Sequence, residues 1–230
     1  MIKELNGIRS LRDLHFVIFN MLFEISHLKP PIALFGNGEM PTHEIPLQIV
    51  KNAGTIICSD GGANKLKQIG FEPDLILGDM DSVSENSFQC PFIQLKDQSK
   101  TDLQKSLDWC VENKLIEISL VGFSGEEDDH WMAALWTLIT YYEELDLVFY
   151  SNHSKIICIE GEKEISTFKG QTVSIIPSKD DIKITTSSLK YSIENHVLKP
   201  PSFGTRNEAL GESIYIKASG PIWIFLNYKN

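Results

Sequence analysis

Between Pro31 and about Asn152, short apolar runs alternate with segments whose apolar residues recur at helical spacing. The runs at 32–35, 55–58, 75–77, 92–95, 116–121 and 147–150 lack strict apolar–polar alternation, as strands covered on both faces do. Segments 63–69, 101–113 and 130–142 read as helices between them, the clearest carrying Leu103, Leu107 and Cys110 or Val111 on one face. This order predicts an α/β unit, a mainly parallel sheet with helices on both faces. Beyond Asn152 no helical period is convincing. Runs at 155–160, 171–176, 182–186 and 214–217 alternate or are β-branched, punctuated by Gly161, Gly170, Pro177, Gly204, Gly211 and Gly220. They predict a small all-β sandwich or roll. The expected organisation is an extension over 1–30, an α/β catalytic domain over 31–154 and an all-β domain over 155–230.

Open α/β sheets bind ligands at the carboxyl ends of their strands. Those ends carry Gly36-Asn37-Gly38, Ser59-Asp60-Gly61-Gly62, Gly78-Asp79-Met80-Asp81-Ser82, the segment from Asp97 to Asp102, Gly122-Phe123-Ser124-Gly125 and Ser151-Asn152. Turn residues are ordinary at strand ends, and any one loop alone would mean little. Three acidic loops on one rim mean more, because crowded carboxylates repel unless a cation sits among them. Hard oxygen donors point to Mg²⁺. Asp79 and Asp81 would project to the same side of an extended segment, a pattern that phosphatases and glycosyltransferases also use. In the next loop Gln98 and backbone amides are placed to hold phosphate oxygens, Asp102 to hold metal and Lys105 to neutralise phosphate charge. Thr101 is equally placed to cap the helix that follows.

The net charge of −10, from 21 basic and 31 acidic residues, argues against an electrostatic nucleic-acid partner. Polyphosphate would have to be held locally. Four scattered cysteines, with no C-x-x-C pair, fit reduced thiols in a cytoplasmic protein. No run reaches the length of a membrane span. The apolar stretch 14–25 follows Lys3, Arg9 and Arg12 but is interrupted by Asn20 and Glu24, so it reads as an N-terminal helix or extension and not as a signal peptide. A P-loop motif is missing, and Gly36-Asn37-Gly38 lacks the third glycine of a dinucleotide fingerprint.

Taken in order, N-G-x-x-P (Asn37, Gly38, Pro41), D-G-G-A-N (Asp60 to Asn64), P-D-L-I-x-G-D-x-D-S (Pro73 to Ser82), D-Q-x-x-T-D-L (Asp97 to Leu103), G-x-x-G-x-x-x-D-H (Gly122 to His130) and the late pair Asn207-Glu208 resemble the thiamine pyrophosphokinase family from about Pro31 onward. The resemblance implies an α/β domain followed by a β domain, and a homodimer with active sites shared between subunits. It implies attack of the thiamine hydroxyl on the β-phosphorus of ATP, with AMP leaving. Carried over residue by residue, it makes Asp79, Asp81 and Asp102 the Mg²⁺ ligands, with Asp60 beside them as metal support or as help to the attacking hydroxyl. Asn37, Gln98, Thr101 and Lys105 fall on the nucleotide side, with Gly122, Ser124, Gly125 and Asp129 shaping it. Asn207 falls in the thiamine pocket.

The chain also departs from that pattern. Glu126 and Glu127 stand where the family usually has Gly and Arg, Ser99 where it has Asp, and Arg206 where it has Ser. Arg206 is therefore a candidate contact to substrate phosphate that offsets Glu127. Two alternatives stay open on this reading. One is another Mg²⁺-dependent phosphotransferase or phosphohydrolase. The other is a nucleotide- or thiamine-binding module that has lost catalysis.

Overall fold

The computed structural model describes residues 27–79 and 88–229. Asp81 and most of the N-terminal extension lie outside the described residues. The first part of the chain runs β1 (Ile32–Phe35), α1 (Glu44–Lys51), β2 (Thr55–Ser59), α2 (Asp60–Gln68), β3 (Leu75–Gly78), β4 (Phe92–Gln94), α3 (Asp102–Glu112), β5 (Glu117–Val121), α4 (Asp128–Tyr141) and β6 (Asp146–Tyr150). These six strands pair in parallel in the order β4-β3-β2-β1-β5-β6. The strand order reverses at β1, so the loops after β1 and β5 leave neighbouring strands and open a crevice at their carboxyl ends.

Side chains along these strands divide by alternation between two apolar clusters. Ile32, Leu34, Ile57, Leu75, Leu77, Ile118 and Leu120 pack with Leu103, Leu107 and Cys110 of α3 and with Ala134, Leu138 and Tyr141 of α4. Phe35, Ile56, Cys58, Ile76 and Val121 pack instead with Val50 of α1 and with Ala63 and Leu66 of α2. Both faces are covered, which is why the strand sequences do not alternate. Leu138 is fully buried between α4 and the sheet. Truncating it (Leu138→Ala) is expected to cost about 2–5 kcal/mol of stability. Urea unfolding measures this, and a loss below about 1 kcal/mol would contradict the packing described.

The remaining strands are β7 (Ser154–Ser166), β8 (Thr172–Pro177), β9 (Lys183–Ser187), β10 (His196–Val197), β11 (Asn207–Glu208) and β12 (Ser213–Asn227). This is a strand-rich region, and with the first part it forms a mixed sheet. β6 pairs antiparallel with β7, and β7 with β12 along almost its whole length. β12 shifts register between Ala218 and Ile222, and its other edge serves β9 before that point and β8 after it. The bulge sits at Gly220-Pro221, where a proline can be accommodated in a sheet.

β7 and β12 also serve both halves of the molecule. Ile156 and Trp223 face the cluster beneath α3 and α4, while Ile157, Ile222 and Ile224 face a second core built almost wholly from β7–β12 and their loops. The Trp223 indole Nε1–H donates to the Leu135 carbonyl of α4 at 2.7 Å, and its ring meets Trp136 edge-on. Among the described residues no helix is long and apolar enough to cross a membrane.

Candidate active site

The acidic loops meet because β2 and β3 are neighbours and end side by side. Asp60 opens α2 and is buried. It lies against the end of β3 so closely that a Cβ built on Gly78 would stand 2.5 Å from the Asp60 Cβ. Only glycine at 78 lets the Asp60 carboxylate and the Asp79 loop share this corner. Glycines make the neighbouring contacts as well. A Cβ on Gly62 would fall 2.5 Å from the Phe35 carbonyl oxygen, and one on Gly38 would fall 2.6 Å from that of Ser124.

Asp79 follows β3, and Asp102 opens α3. Between them stands the Lys105 ammonium, 2.7 Å from Asp102 Oδ1 and 3.7 Å from Asp79 Oδ2. The Lys105 side chain is only 5% exposed. Burial by itself disfavours its charge and is the largest influence on it. The hydrogen bond to Asp102 and the charges of Asp102 and Asp79 outweigh burial, so the pKa ends above the ordinary lysine value. The Gln98 side-chain amide donates to Asp79 Oδ2 at 3.3 Å.

These groups line a cavity of about 700 Å³ together with Asn37, Gly38, Thr101 and Gly125, and with Glu126, Glu127 and His130. Its walls come from the loops after β1, β3, β4 and β5 and from the starts of α3 and α4. Two carboxylates with hard oxygens, drawn around one buried cation, make a donor set that fits Mg²⁺. Lys105 already marks the position between them as one that favours positive charge.

The structure separates the expected site residues into groups. Asp79, Asp102, Gln98, Thr101, Lys105, Asn37 and Gly125 share the cavity. The Thr101 hydroxyl accepts from the Gln104 backbone N–H, and Gln104 Oε1 accepts from the Thr101 N–H, a reciprocal capping box that starts α3. Gly122 and Ser124 form the back of the same loop. The Gly122 carbonyl accepts from Gly38 N–H at 2.6 Å, and that of buried Ser124 accepts from Glu39 N–H at 2.5 Å. Asp129 is exposed in the first turn of α4 and accepts from the His130 N–H. Asp97 is also exposed and accepts from both the backbone and the hydroxyl of Ser99, chiefly the hydroxyl, which holds its pKa below the usual aspartate value.

Asn207 and Arg206 stand apart from this group. The Asn207 side chain is buried and bonds both the N–H and the carbonyl of Tyr191, as well as the Glu208 N–H. Arg206 borders a different cavity, of about 400 Å³, with His43, His153, Gln171 and Tyr228.

Residues 47–149 match the model described as thiamin pyrophosphokinase, catalytic domain, and residues 153–223 match thiamin pyrophosphokinase, vitamin B1 binding domain. The chain belongs to the thiamin pyrophosphokinase family. It is 27% identical over 195 residues to thiamin pyrophosphokinase 1 of Caenorhabditis elegans, covering 76% of this chain and 79% of that protein. It is 26% identical over 164 residues to thiamine pyrophosphokinase of Bacillus subtilis, covering 66% of this chain and 76% of that one. The crystal structure of the Bacillus subtilis enzyme superposes with a TM-score of 0.73 at 21% identity, over 86% of this chain and 99% of that chain. The Candida albicans thiamin pyrophosphokinase superposes with a TM-score of 0.73 at 20% identity, over 86% and 88% of the two chains.

The residue that sequence reasoning missed within this thiamin pyrophosphokinase fold is Lys65. Its ammonium donates to the carbonyls of Asn37, at 2.8 Å, and Gly38, at 2.7 Å, and to the Glu126 carboxylate. The only local signal is a lysine one turn beyond Asp60 on a helix that opens at the rim.

Proposed function

We propose that this chain transfers the pyrophosphoryl group of ATP to the hydroxyl of thiamine, giving thiamine diphosphate and AMP, at the cavity lined by Asp79, Asp102 and Lys105. The observation that carries the reading is the convergence of Asp79, from the loop after β3, with Gln98, Asp102 and Lys105, from the loop after β4 and the start of α3, on one cavity at the carboxyl edge of the parallel strands. Transfer of this kind depends mainly on positioning and charge neutralisation, and the convergence offers both. Asp79 and Asp102 would hold Mg²⁺, together with Asp81, two positions after Asp79 in the sequence, and with Asp60 beside the end of β3 as support. The ion's contribution is to neutralise charge building on the phosphate oxygens. Lys105 keeps the two carboxylates together and supplies fixed positive charge beside them. Gln98 orients Asp79, and the loops after β1 and β5 form the nucleotide wall.

We assign the catalytic part to 31–154 and a small all-β unit to 155–230. Asn207 and Arg206 lie outside the aspartate cavity of their own chain, which supports a homodimer in which a second copy completes the thiamine side. Four unpaired thiols fit a cytoplasmic enzyme.

The test is incubation of the purified chain with ATP, Mg²⁺ and thiamine. Thiamine diphosphate with an equal amount of AMP is the expected product pair, and chelation of Mg²⁺ should stop it. ADP or inorganic phosphate in its place would point to another phosphotransferase or phosphohydrolase. Binding without turnover would point to a nucleotide- or thiamine-binding module that has lost catalysis, the reading that Glu127 and Ser99 in the cavity wall favour.

A further inference from the structure

We propose that Lys65 is a positioning residue for ATP, acting by fastening the loop after β1 to the loop after β5. The proposal rests on the reading of this cavity as the nucleotide site. An ammonium has three N–H donors, and Lys65 has three matching acceptors: the carbonyls of Asn37 and Gly38 in the first loop and the Glu126 carboxylate in the second. The side chain reaches them from α2, a third element, and is 18% exposed. The same two loops are already in backbone contact, through Gly38 to Gly122 and Glu39 to Ser124. Asn37, Gly38, Gly125 and Glu126 all line the cavity.

Two consequences follow from the chemistry. Neighbouring carbonyl oxygens and an acidic side chain on a cavity wall would repel a polyphosphate, and the Lys65 ammonium offsets part of that charge by bonding the Asn37 and Gly38 carbonyls and the Glu126 carboxylate together. Glu126 also adopts a left-handed backbone, with φ of +62° and next to Gly125 at +66°. A non-glycine residue holds such a conformation only when its surroundings require it. The ion pair to Lys65 is one of the contacts that hold it there, beside the backbone bond from Glu39 to Ser124. Without it, the loop after β5 keeps its zipper to Glu39 but loses the anchor at Glu126, and the nucleotide wall widens. Asp79, Asp102 and Lys105 are held by other contacts and stay in place.

The experiment is steady-state kinetics of the full chain with ATP and thiamine varied separately, alongside thermal unfolding. Lys65→Met is expected to raise the KM for ATP by about tenfold, the scale of one charged hydrogen bond. The kcat and the KM for thiamine should stay within about twofold. Lys65→Arg should recover most of the ATP affinity, because charge and donors remain. Glu126→Gln, a change at an exposed side chain, should raise the KM for ATP by a smaller factor. It keeps the proposal testable if Lys65→Met does not fold. An unchanged ATP KM in Lys65→Met, or a lowered Tm with both KM values moved alike, would overturn the proposal. The same holds for an unchanged ATP KM in Glu126→Gln when Lys65→Met is insoluble. If the parent chain makes no thiamine diphosphate, the functional reading fails instead. Equilibrium binding of ATP with Mg²⁺ then decides the role of Lys65, through the ratio of Kd values between parent and Lys65→Met.

Discussion

Asp102→Asn and Asp79→Asn are each expected to lower thiamine diphosphate formation by on the order of 10²–10³-fold, the usual cost of removing one group that stabilises charge in the transition state. The change is nearly isosteric, so folding should be little affected. Asp102 is half exposed and Asp79 a quarter exposed, which lets solvent screen the lost charge. Lys105 would keep one carboxylate in either variant. The Tm should therefore move by only a few degrees, roughly the effect of 1 kcal/mol in a domain of this size. Asp97→Asn is the matched control. That carboxylate is exposed, spends its hydrogen bonds on Ser99 and is absent from the cavity wall, so activity should stay near that of the parent. If Asp102→Asn kept more than about a tenth of the parent rate at saturating Mg²⁺, the assignment of that carboxylate would fail.

Gly78→Ala is expected to lose both stability and activity. The added methyl would stand 2.5 Å from Asp60 Cβ and 3.2 Å from its Cγ. Asp60 is buried at the start of α2 and cannot swing aside as the tip of a flexible side chain would. Either β3 or α2 must move, at a cost of about 1–3 kcal/mol. The displacement carries Asp79 with it, so kcat should fall further than the folded fraction does. Gly211→Ala tests the reasoning by contrast. Nothing stands within 4 Å of a Cβ there, and its φ is not positive, so the change should stay within about 0.5 kcal/mol. Circular dichroism melts and initial rates on the two variants give both quantities. Equal melting temperatures would mean that Gly78 is not the tight contact described.

Much of the fold was legible along the chain. The six strands of the parallel part were expected within two residues of where they lie, because runs buried on both faces are short, apolar and bounded by turn residues. Helix α1 was not expected. Its sequence, Glu-Ile-Pro-Leu, carries Pro46, which reads as a breaker but is tolerated in the first turn of a helix. β7 and β12 were expected as segments less than half as long. The far half of β7, with Gly161, Glu162 and Glu164, looks like loop, and Gly220-Pro221 looks like a stop. Pairing between the two long strands, with a bulge at the stop, overrides both local signals.

By itself, the sequence placed Asp60, Asp79 and Asp102 in loops at one rim of a parallel sheet. Apolar periodicity sets where strands end, and strand ends are where such loops must lie. Only the tertiary structure decided what stands between those loops: Lys105 buried amid Asp79 and Asp102, Lys65 joining Asn37 and Gly38 to Glu126, and Arg206 and Asn207 outside the cavity of their own chain. Those distances depend on which strands become neighbours and how closely glycines let their loops approach, and no local pattern of residues contains that information.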